Sequence, residues 1–424
     1  PDVYHLPPDA GFSYSTAFDD QVGYRCKSML VVPMIDRRDR ITGCIQLINR
    51  KPDREARLDS KATAEQLVLP FPSTMVQLVQ SIASQSAVAI DKARLIDDLE
   101  HTFEGLVYAS VVAIESRDPT TSGHSERVAK LSVDLARSVS DVQAPRLLVT
   151  YTPTQLKELR YASLLHDFGK VGVREHVLIK AKKLHPWDLE CVRLRFAVAV
   201  KERENRVLRD LMKKLGAAGG DGIDPRPFID AAESTIAAET GRLMKLYDTV
   251  MQSNEPKVLA DGKEAELRHT SEERYTDIDG CQHRLLNDQE LTDLSIPRGS
   301  LNREQRLEIE SHVAHTYRFL SRIPWTEELR DLPKIAGSHH EKLDGSGYPD
   351  GLRAEEIPLQ SKIMAVADIF DALTAWDRPY KKAMPLEKAL QILDMEVKDR
   401  HIDGDLVAMF RERKIYRSVM PEAP

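Results

Sequence analysis

The sequence predicts a mainly α-helical protein, in which an all-α helical bundle domain follows a partial α/β segment and a long connecting helix. Three observations support this fold class. Residues from about 11 to 50 alternate turns with short β-rich runs, as strands do. Residues 73–104 repeat apolar side chains at helical spacing. From about residue 102 onwards, Leu, Ala, Val and Ile recur three and four positions apart, with helix caps such as Thr152.

Length and composition limit the class of protein. With 424 residues and 42% hydrophobic side chains, the chain can form two or three domains, each with its own core. It has no apolar run of about 18 residues and no signal-peptide pattern at its start, so we expect a cytoplasmic protein without a membrane span. The four cysteines form no CxxC pair, which argues against disulfides and thiolate zinc sites. A net charge of -7 disfavours binding to nucleic-acid polymers.

The first predicted element is a β-hairpin. Its strands are Ser28–Met34 and Ile41–Ile48, joined by the charged turn Asp36–Arg40. Together with the helix that follows, this stretch resembles the C-terminal part of a GAF sensor domain; the matching text is Gly23-Tyr-Arg, Ser28–Pro33, Gly43–Asn49 and Ile82–Ile90. We therefore assign residues 1–72 to a GAF-like segment. We name no sensor ligand, because the resemblance leaves out strands that would form much of the ligand pocket.

The connecting helix, residues 73–104, carries an apolar stripe. Its positions follow steps of four and three, with Ser86 and Glu100 filling two gaps, and they are Met75, Val79, Ile82, Ala89, Ala93, Ile96 and Phe103. Such a stripe favours pairing with another helix, which would make the protein a homodimer through this helix. Packing of the helix on its own domain explains the stripe equally well.

The helical domain is predicted in two parts, residues 105–196 and 301–415, separated by an insertion over residues 197–300. The insertion is rich in charged residues and has a glycine-rich turn at Gly216–Gly222. Helical patterns flank these glycines and periodicity then fades, so we expect a helical hairpin followed by a polar loop. A structural elaboration is favoured over a partner-binding arm.

Histidine and aspartate recur in separated segments of the helical domain: His124, His166-Asp167, His312, and His339-His340 followed by Asp368. Imidazole and carboxylate suit transition metals, and two adjacent metals need roughly six or more such ligands. A lone histidine such as His124 on an apolar helix stripe is more often a core residue. However, His166 and Asp167 close the apolar helix Tyr161–Leu165, which Gly169 ends. Burying that adjacent pair would be costly without a metal or hydrogen bonds.

A glycine-rich loop, Glu341–Pro349, follows the histidine pair, and its backbone can approach a phosphate-bearing ligand. Together these motifs resemble the HD-GYP family of HD phosphohydrolases. His166-Asp167 with Lys170 matches HDxGK, Gly347-Tyr348-Pro349 is the GYP signature, and Ala367–Thr374 leads to Arg378 and Lys381. The resemblance covers about residues 102–196 and 300–412. It implies an HD-type helical bundle around a metal centre that hydrolyses cyclic di-GMP to pGpG or GMP.

The resemblance also implies roles for the matching residues. Asp167 and Lys170 would be catalytic, with Lys170 at the scissile phosphate, and Tyr348, Arg378 and Lys381 would hold the substrate. Asp167 would bridge two metals, iron or manganese, whose shared water yields a hydroxide for in-line attack at phosphorus. The GYP loop is also a candidate surface for a signalling partner. The metal ligands would be His124, His166, Asp167, His312, His339, His340 and Asp368.

Two positions depart from the family pattern. Some members carry a glutamate that binds a third metal four positions before the first ligand histidine, and this chain has Thr120 there. We therefore expect a dinuclear centre. The segment between Asp368 and Arg378 is one residue longer than usual, which puts the reach of Arg378 and Lys381 in question.

Two further residues are open to more than one interpretation. His315 lies one helical turn from His312 and competes with it, and His312 is preferred because it matches the family motif. Asp371, one turn after Asp368, is either a hydrogen-bond acceptor behind the metal ligands or a residue of the helix surface.

Two other functions are compatible with the same sequence. One is a catalytically silent HD-GYP module that binds a partner, and the intact ligand set argues against it. The other is an HD phosphohydrolase acting on another nucleotide, since pocket shape decides among phosphoesters. The GYP loop favours a cyclic dinucleotide.

Overall fold

Helices dominate the chain, as the sequence predicts. The structure is a computed structural model that describes residues 2–118, 122–141, 149–217, 224–375 and 383–420. Its internal contacts divide it into two units, residues 1–106 and 107–424. No helix within these described ranges is both long and apolar enough to cross a membrane.

The first unit contains the predicted hairpin. Its elements are α1 (Ala17–Val22), β1 (Met29–Ile35), β2 (Ile41–Ile48), α2 (Lys61–Leu67) and the greater part of α3 (Ser73–Glu115). The two strands are antiparallel, and Met29 pairs with Ile48. The carboxylate of Asp36 accepts the backbone N–H groups of Arg38 and Arg40 at 2.8 and 2.9 Å, which closes the turn. The hairpin is confirmed, whereas the GAF resemblance stays a prediction.

Helix α3 is longer than the predicted connecting helix, since it continues from residue 104 to Glu115. Its first turns pack on the hairpin, where Val79 and Ala83 form a small core with Val32. Packing within the unit thus accounts for part of the apolar stripe. Ile82 and Ile96 are 46% and 50% exposed in the single chain. Pairing of this helix with a second subunit stays a prediction.

The second unit is built from helices and one small hairpin. Short 3₁₀ segments lie at Phe168–Gly172, Glu327–Leu329 and Ile415–Ser418. The helices and strands are α4 (His124–Asp141), α5 (Pro153–Leu165), α6 (Glu175–Leu178), α7 (Pro186–Ala217), α8 (Arg226–Ser253), α9 (Lys263–Glu272), β3 (Arg274–Thr276), β4 (Gln282–Arg284), α10 (Asp288–Leu294), α11 (Arg303–Leu320), α12 (Leu332–Gly337), α13 (Leu359–Thr374), α14 (Leu386–Lys398) and α15 (Gly404–Glu412).

Packing of five of these helices and the 3₁₀ segment brings the distant histidines together. Helix α4 packs against α5 and α13, and α12 packs against α5 and α11. Helix α11 also lies on Phe168–Gly172. The predicted cap is confirmed: the Thr152 side chain accepts the N–H of Gln155, and the Gln155 side chain accepts the N–H of Thr152. This capping box fixes the start of α5, the helix that leads to His166.

The segment predicted as an insertion forms a hydrophobic core together with residues just before it. Helix α7 begins at Pro186, before the predicted boundary, and packs on α8. The part expected to be a polar loop contains α9, the β3–β4 hairpin and α10, because scattered apolar residues anchor these short elements. The core residues are Leu184, Val192, Phe196, Ala199, Leu243, Val250, Leu267, Leu285, Leu286 and Leu294. The domain boundaries and the role of the insertion stay predictions.

Candidate metal centre

The structure brings all seven predicted ligand residues into one cluster. His124 is the first residue of α4, His166 and Asp167 follow α5, and the other ligands come from α11, from the end of α12 and from α13. His124 Nε2 lies 3.2 Å from Asp368 Oδ1 and 4.0 Å from Asp167 Oδ2. His312 Nε2 lies 3.3 Å from Asp167 Oδ1. All but the partly exposed His340 are buried.

Three of the histidines have one ring nitrogen that is hydrogen-bonded and one that has no hydrogen-bond partner. The Nδ1 atoms of His166, His312 and His339 lie 2.6, 2.6 and 2.7 Å from the backbone carbonyl oxygens of Ser163, Ile309 and Ala336. Because a carbonyl can only accept, each Nδ1 carries a proton, and in the neutral ring Nε2 then carries a lone pair. All three Nε2 atoms are buried without a hydrogen-bond partner in the described part of the chain. Buried lone pairs of this kind fit a metal ion.

His124 is oriented by carboxylates rather than by a carbonyl. Asp371 Oδ2 lies 2.8 Å from His124 Nδ1, and the Arg127 guanidinium donates to both oxygens of Asp371 at 2.7 and 3.1 Å. Such a carboxylate behind a metal-binding histidine fixes its ring orientation and raises its basicity. The sequence alone did not decide between the two interpretations of Asp371. Its position one helical turn beyond Asp368 was the signal that could have identified it as the acceptor behind a ligand histidine.

Charge favours a cation in this cluster. Burial alone would raise the pKa of the Asp167 and Asp368 carboxyls. However, Lys170 beside Asp167, and the hydrogen bond from His124 to Asp368, hold both pKa values below their usual range. Burial lowers the pKa of His166 and His339, and that of His340 to about 4. Ionised carboxylates and neutral imidazoles are the forms that bind metals.

His124 has the opposite tendency. Burial alone would lower its pKa, but hydrogen bonds to Asp368 and Asp371 raise that pKa to about 9. A positive charge is therefore stabilised at this end of the cluster, either as a proton on His124 or as a metal ion that replaces it.

The side chains form three groups whose ligand atoms lie close enough together to hold a metal ion. Among the described residues, three groups of three side chains have their ligand atoms within 4.8 Å of one another. They are His124, His166 and Asp368; His166, Asp167 and His339; and His312, His339 and His340. The first and last groups share no residue. The donor set and the leftover Nε2 lone pairs thus fit metal ions.

The predicted catalytic lysine lies beside this cluster. Lys170 Nζ is 2.8 Å from Asp167 and 3.6 Å from Asp118, a residue that the sequence did not single out. Burial alone would lower the pKa of Lys170, but the two carboxylates raise it, so the ammonium stays charged. Tyr348 is also close, since its ring centroid lies 4.9 Å from that of His340.

Some predicted residues lie outside the cluster or outside the described ranges. Thr120, Arg378 and Lys381 belong to the ranges that the structure does not describe. His312 lies in the cluster, whereas the ring of its competitor His315 faces Gly172 in the neighbouring 3₁₀ segment. Geometry therefore separates two histidines that spacing alone could not distinguish.

The GYP loop is held by backbone contacts. The Glu341 carboxylate accepts the N–H groups of Asp350 and Leu352 at 2.7 and 2.8 Å. A Cβ atom on Gly347 would lie 2.3 Å from the backbone nitrogen of Lys342, so only glycine fits there. These contacts fold the loop back on the histidine pair and place Tyr348 beside the cluster.

Parts of the chain are similar in sequence to several known proteins. A 3'3'-cGAMP-specific phosphodiesterase of Vibrio cholerae is 44% identical over 96 residues, 23% of this chain and 20% of the relative. A cyclic di-GMP phosphodiesterase of Thermotoga maritima is 43% identical over 96 residues, 23% of this chain and 26% of the relative. A cyclic di-GMP phosphodiesterase response regulator of Xanthomonas campestris is 59% identical over 59 residues, which are 14% of this chain and 15% of the relative. The chain thus spans about a quarter or less of the length of these relatives.

Two models of the HD domain match the chain directly, over residues 121–261 and 289–406. HD domains are metal-dependent, and both segments contribute residues to the His/Asp groups that could bind metals. The two matched segments contain all seven residues of the cluster. The chain therefore carries an HD domain, and the His/Asp cluster that could bind metals lies within it.

Proposed function

We propose that this chain is a metal-dependent phosphodiesterase that hydrolyses cyclic di-GMP to pGpG or GMP. The observation that carries the proposal is the set of three buried Nε2 lone pairs, on His166, His312 and His339, that converge with two ionised carboxylates. A core packed for stability alone would not gather three such nitrogens around two carboxylates.

Two metals are proposed, and Asp167 would be a ligand of both. Its Oδ1 faces His312 at 3.3 Å, whereas its Oδ2 faces His166 at 3.5 Å and His124 at 4.0 Å. The two oxygens of one carboxylate thus point to the two groups that share no residue. Iron and manganese both accept this mixture of imidazole and carboxylate. When bound, the metals would lower the pKa of a water molecule and stabilise charge on the phosphoryl group.

The side chains around the cluster suit a phosphodiester. The Lys170 ammonium, kept charged by Asp167 and Asp118, can stabilise the negative charge that grows on a phosphoryl oxygen. Tyr348 is mostly buried beside His340, and burial raises its pKa, so its hydroxyl stays protonated and can donate to a phosphate oxygen. Arg378 and Lys381 are proposed to hold further phosphate oxygens.

The names of the relatives support the substrate class and name two members of it. Relatives in Thermotoga maritima and Xanthomonas campestris carry cyclic di-GMP in their names, and one in Vibrio cholerae carries 3'3'-cGAMP. Cyclic di-GMP is the proposed substrate, and 3'3'-cGAMP is the second candidate.

The test is hydrolysis of both cyclic dinucleotides by anaerobically purified protein supplied with Fe(II) or Mn(II), with products separated by chromatography. Linear dinucleotide or mononucleotide should form, and Asp167→Ala should abolish it. His283→Ala is the matched control, because His283 is half-exposed in the β3–β4 hairpin, where it contacts Asp277 and the ring of Tyr275. It should keep full activity.

Two outcomes would favour the other functions. Bound metal without turnover of either cyclic dinucleotide, but with hydrolysis of another nucleotide, would point to a different HD phosphohydrolase. Bound metal without hydrolysis of any nucleotide would favour a silent binding module. Full activity in folded Asp167→Ala would refute the proposed mechanism.

A further inference from the structure

The C-terminal end of α3 contacts the segments that carry the metal-binding residues. Glu115 is the last residue of α3, and both of its carboxylate oxygens accept backbone N–H groups. Gly123 N–H donates to Oε2 at 2.8 Å, and Ser125 N–H donates to Oε1 at 3.2 Å. His124, the first residue of α4, lies between these two donors.

This arrangement fixes the start of α4. The first N–H groups of a helix have no partner within the helix, and a carboxylate placed there satisfies them and complements the helix dipole. Gly123 supports the geometry, since its φ of 63° lies in the left-handed region that other residues rarely adopt. The backbone of His124 is thus held on both sides, while Asp368 and Asp371 hold its ring.

Two residues shortly after Glu115, Arg117 and Asp118, reach the segment after the HD pair. Arg117 donates to the carbonyl oxygens of Val171 and Val173 at 2.6 and 3.3 Å. Asp118 lies 3.6 Å from Lys170 Nζ. One short stretch of chain, residues 115–118, therefore contacts both the helix that begins with His124 and the turn that carries Lys170.

From these contacts we propose that Glu115 is a positioning residue of the metal centre, which holds His124 at its ligand position by capping α4. This inference rests on the proposed function only in taking His124 as a metal ligand. Among the described residues, Glu115 bonds the backbone on either side of His124 and no side chain of the cluster. A displacement of α4's first turn by a few tenths of an ångström is enough to spoil a metal–nitrogen distance.

The experiment measures Mn(II) binding to the full chain by calorimetry, without substrate, at a temperature where every variant is folded. Glu115→Ala should weaken Mn(II) binding about tenfold or more, the range found when residues behind a metal ligand are removed. Glu115→Gln keeps one acceptor oxygen and should give a smaller loss. In the hydrolysis assay, both variants should lower kcat more than they raise KM.

Glu126→Gln is the matched control. Glu126 is exposed in the first turn of α4, so this change removes the same charge near the same helix end without touching the Gly123 or Ser125 N–H groups. Its Mn(II) affinity should stay within about twofold of the wild type. If Glu115→Ala does not fold, Glu115→Gln carries the comparison.

The outcomes separate this inference from the proposed function. Wild-type Mn(II) affinity in folded Glu115→Ala, or an equal loss in Glu126→Gln, would overturn the positioning role. A lower melting temperature with unchanged Mn(II) affinity would also overturn it, since it would mark a purely structural cap. Tight Mn(II) binding by the wild type without hydrolysis would refute the proposed function, while the comparison of Mn(II) affinities would still decide the role of Glu115.

Discussion

Gly169 lies where two backbones of the HD domain nearly touch, and replacing it by alanine is the sharpest test of the cluster. A Cβ atom at this position would lie 1.8 Å from the carbonyl oxygen of His312 and 2.5 Å from the backbone nitrogen of Thr316. Both are backbone atoms of α11, so rotation of a side chain cannot relieve the clash. The Gly169 N–H also donates to Thr316 Oγ1 at 2.8 Å, and that hydroxyl donates to the carbonyl of His166 at 2.9 Å.

The size of the effect follows from these distances. Ordinary contacts of a Cβ atom begin at 3.4 Å, so the two backbones must separate by roughly 1.6 Å, the difference between 1.8 and 3.4 Å. Overpacking that only shifts side chains costs about 1–3 kcal/mol, and here the main chain of α11 must move. We therefore expect Gly169→Ala to lower the free energy of unfolding by about 3 kcal/mol or more.

The same shift would move His312 away from Asp167. Metal–ligand distances tolerate only about 0.2 Å, and a misplacement of about 1 Å can cost roughly 100-fold in rate. Gly169→Ala should therefore lose at least about 100-fold in kcat and bind Mn(II) more weakly.

Urea unfolding, Mn(II) calorimetry and the hydrolysis assay together test this chain of reasoning. Gly241→Ala is the control, because Gly241 lies exposed within α8 and an added Cβ would meet no atom within 4 Å beyond its chain neighbours and the adjacent backbone of that helix. That change should stabilise the protein by about 0.5–1 kcal/mol through helix propensity. If Gly169→Ala matched the wild type in unfolding free energy and Mn(II) affinity, the close approach of α11 to the HD segment would be refuted.

Three further predictions concern residues around the cluster. Asp371→Asn removes the charged acceptor behind His124, so Mn(II) affinity measured by calorimetry should fall about 10- to 100-fold, and an unchanged affinity would contradict the role of Asp371. Lys170→Gln should lower kcat about 100-fold with little change in KM in the hydrolysis assay, and wild-type kcat would exclude Lys170 from the reaction. The third is a pH effect on the metal-free protein, because folding lowers the pKa of His340 from 6.5 to about 4. Between these two pH values the unfolded chain takes up a proton on His340 and the folded chain does not. The stability that His340 contributes above pH 6.5 is therefore lost as the pH falls to about 4. Urea midpoints of chelator-treated protein should fall over this window, and fall less in His340→Gln; parallel curves would contradict the assignment.

Local patterns in the sequence predicted much of this architecture. Two short β-rich runs around a charged turn predicted the hairpin, and Thr152 before Gln155 predicted the start of α5. Both depend on neighbours in sequence, so short-range rules suffice. The polar composition of residues 254–300 was a weaker guide. A few apolar residues such as Leu267 and Leu285 anchor short elements there, and the contacts that bury them are distant in sequence.

The sequence by itself also determined which residues are able to bind metal. The amino-acid sequence alone shows which side chains are imidazoles or carboxylates and in what order the motifs occur. Only the tertiary structure decided how they meet. It separated His312 from His315, gave Asp371 its place behind His124, and revealed that Glu115 caps the helix that His124 begins. The physical reason is that each of these contacts joins side chains and backbone groups whose separation depends on helix packing, and a packing distance has no counterpart in local residue spacing.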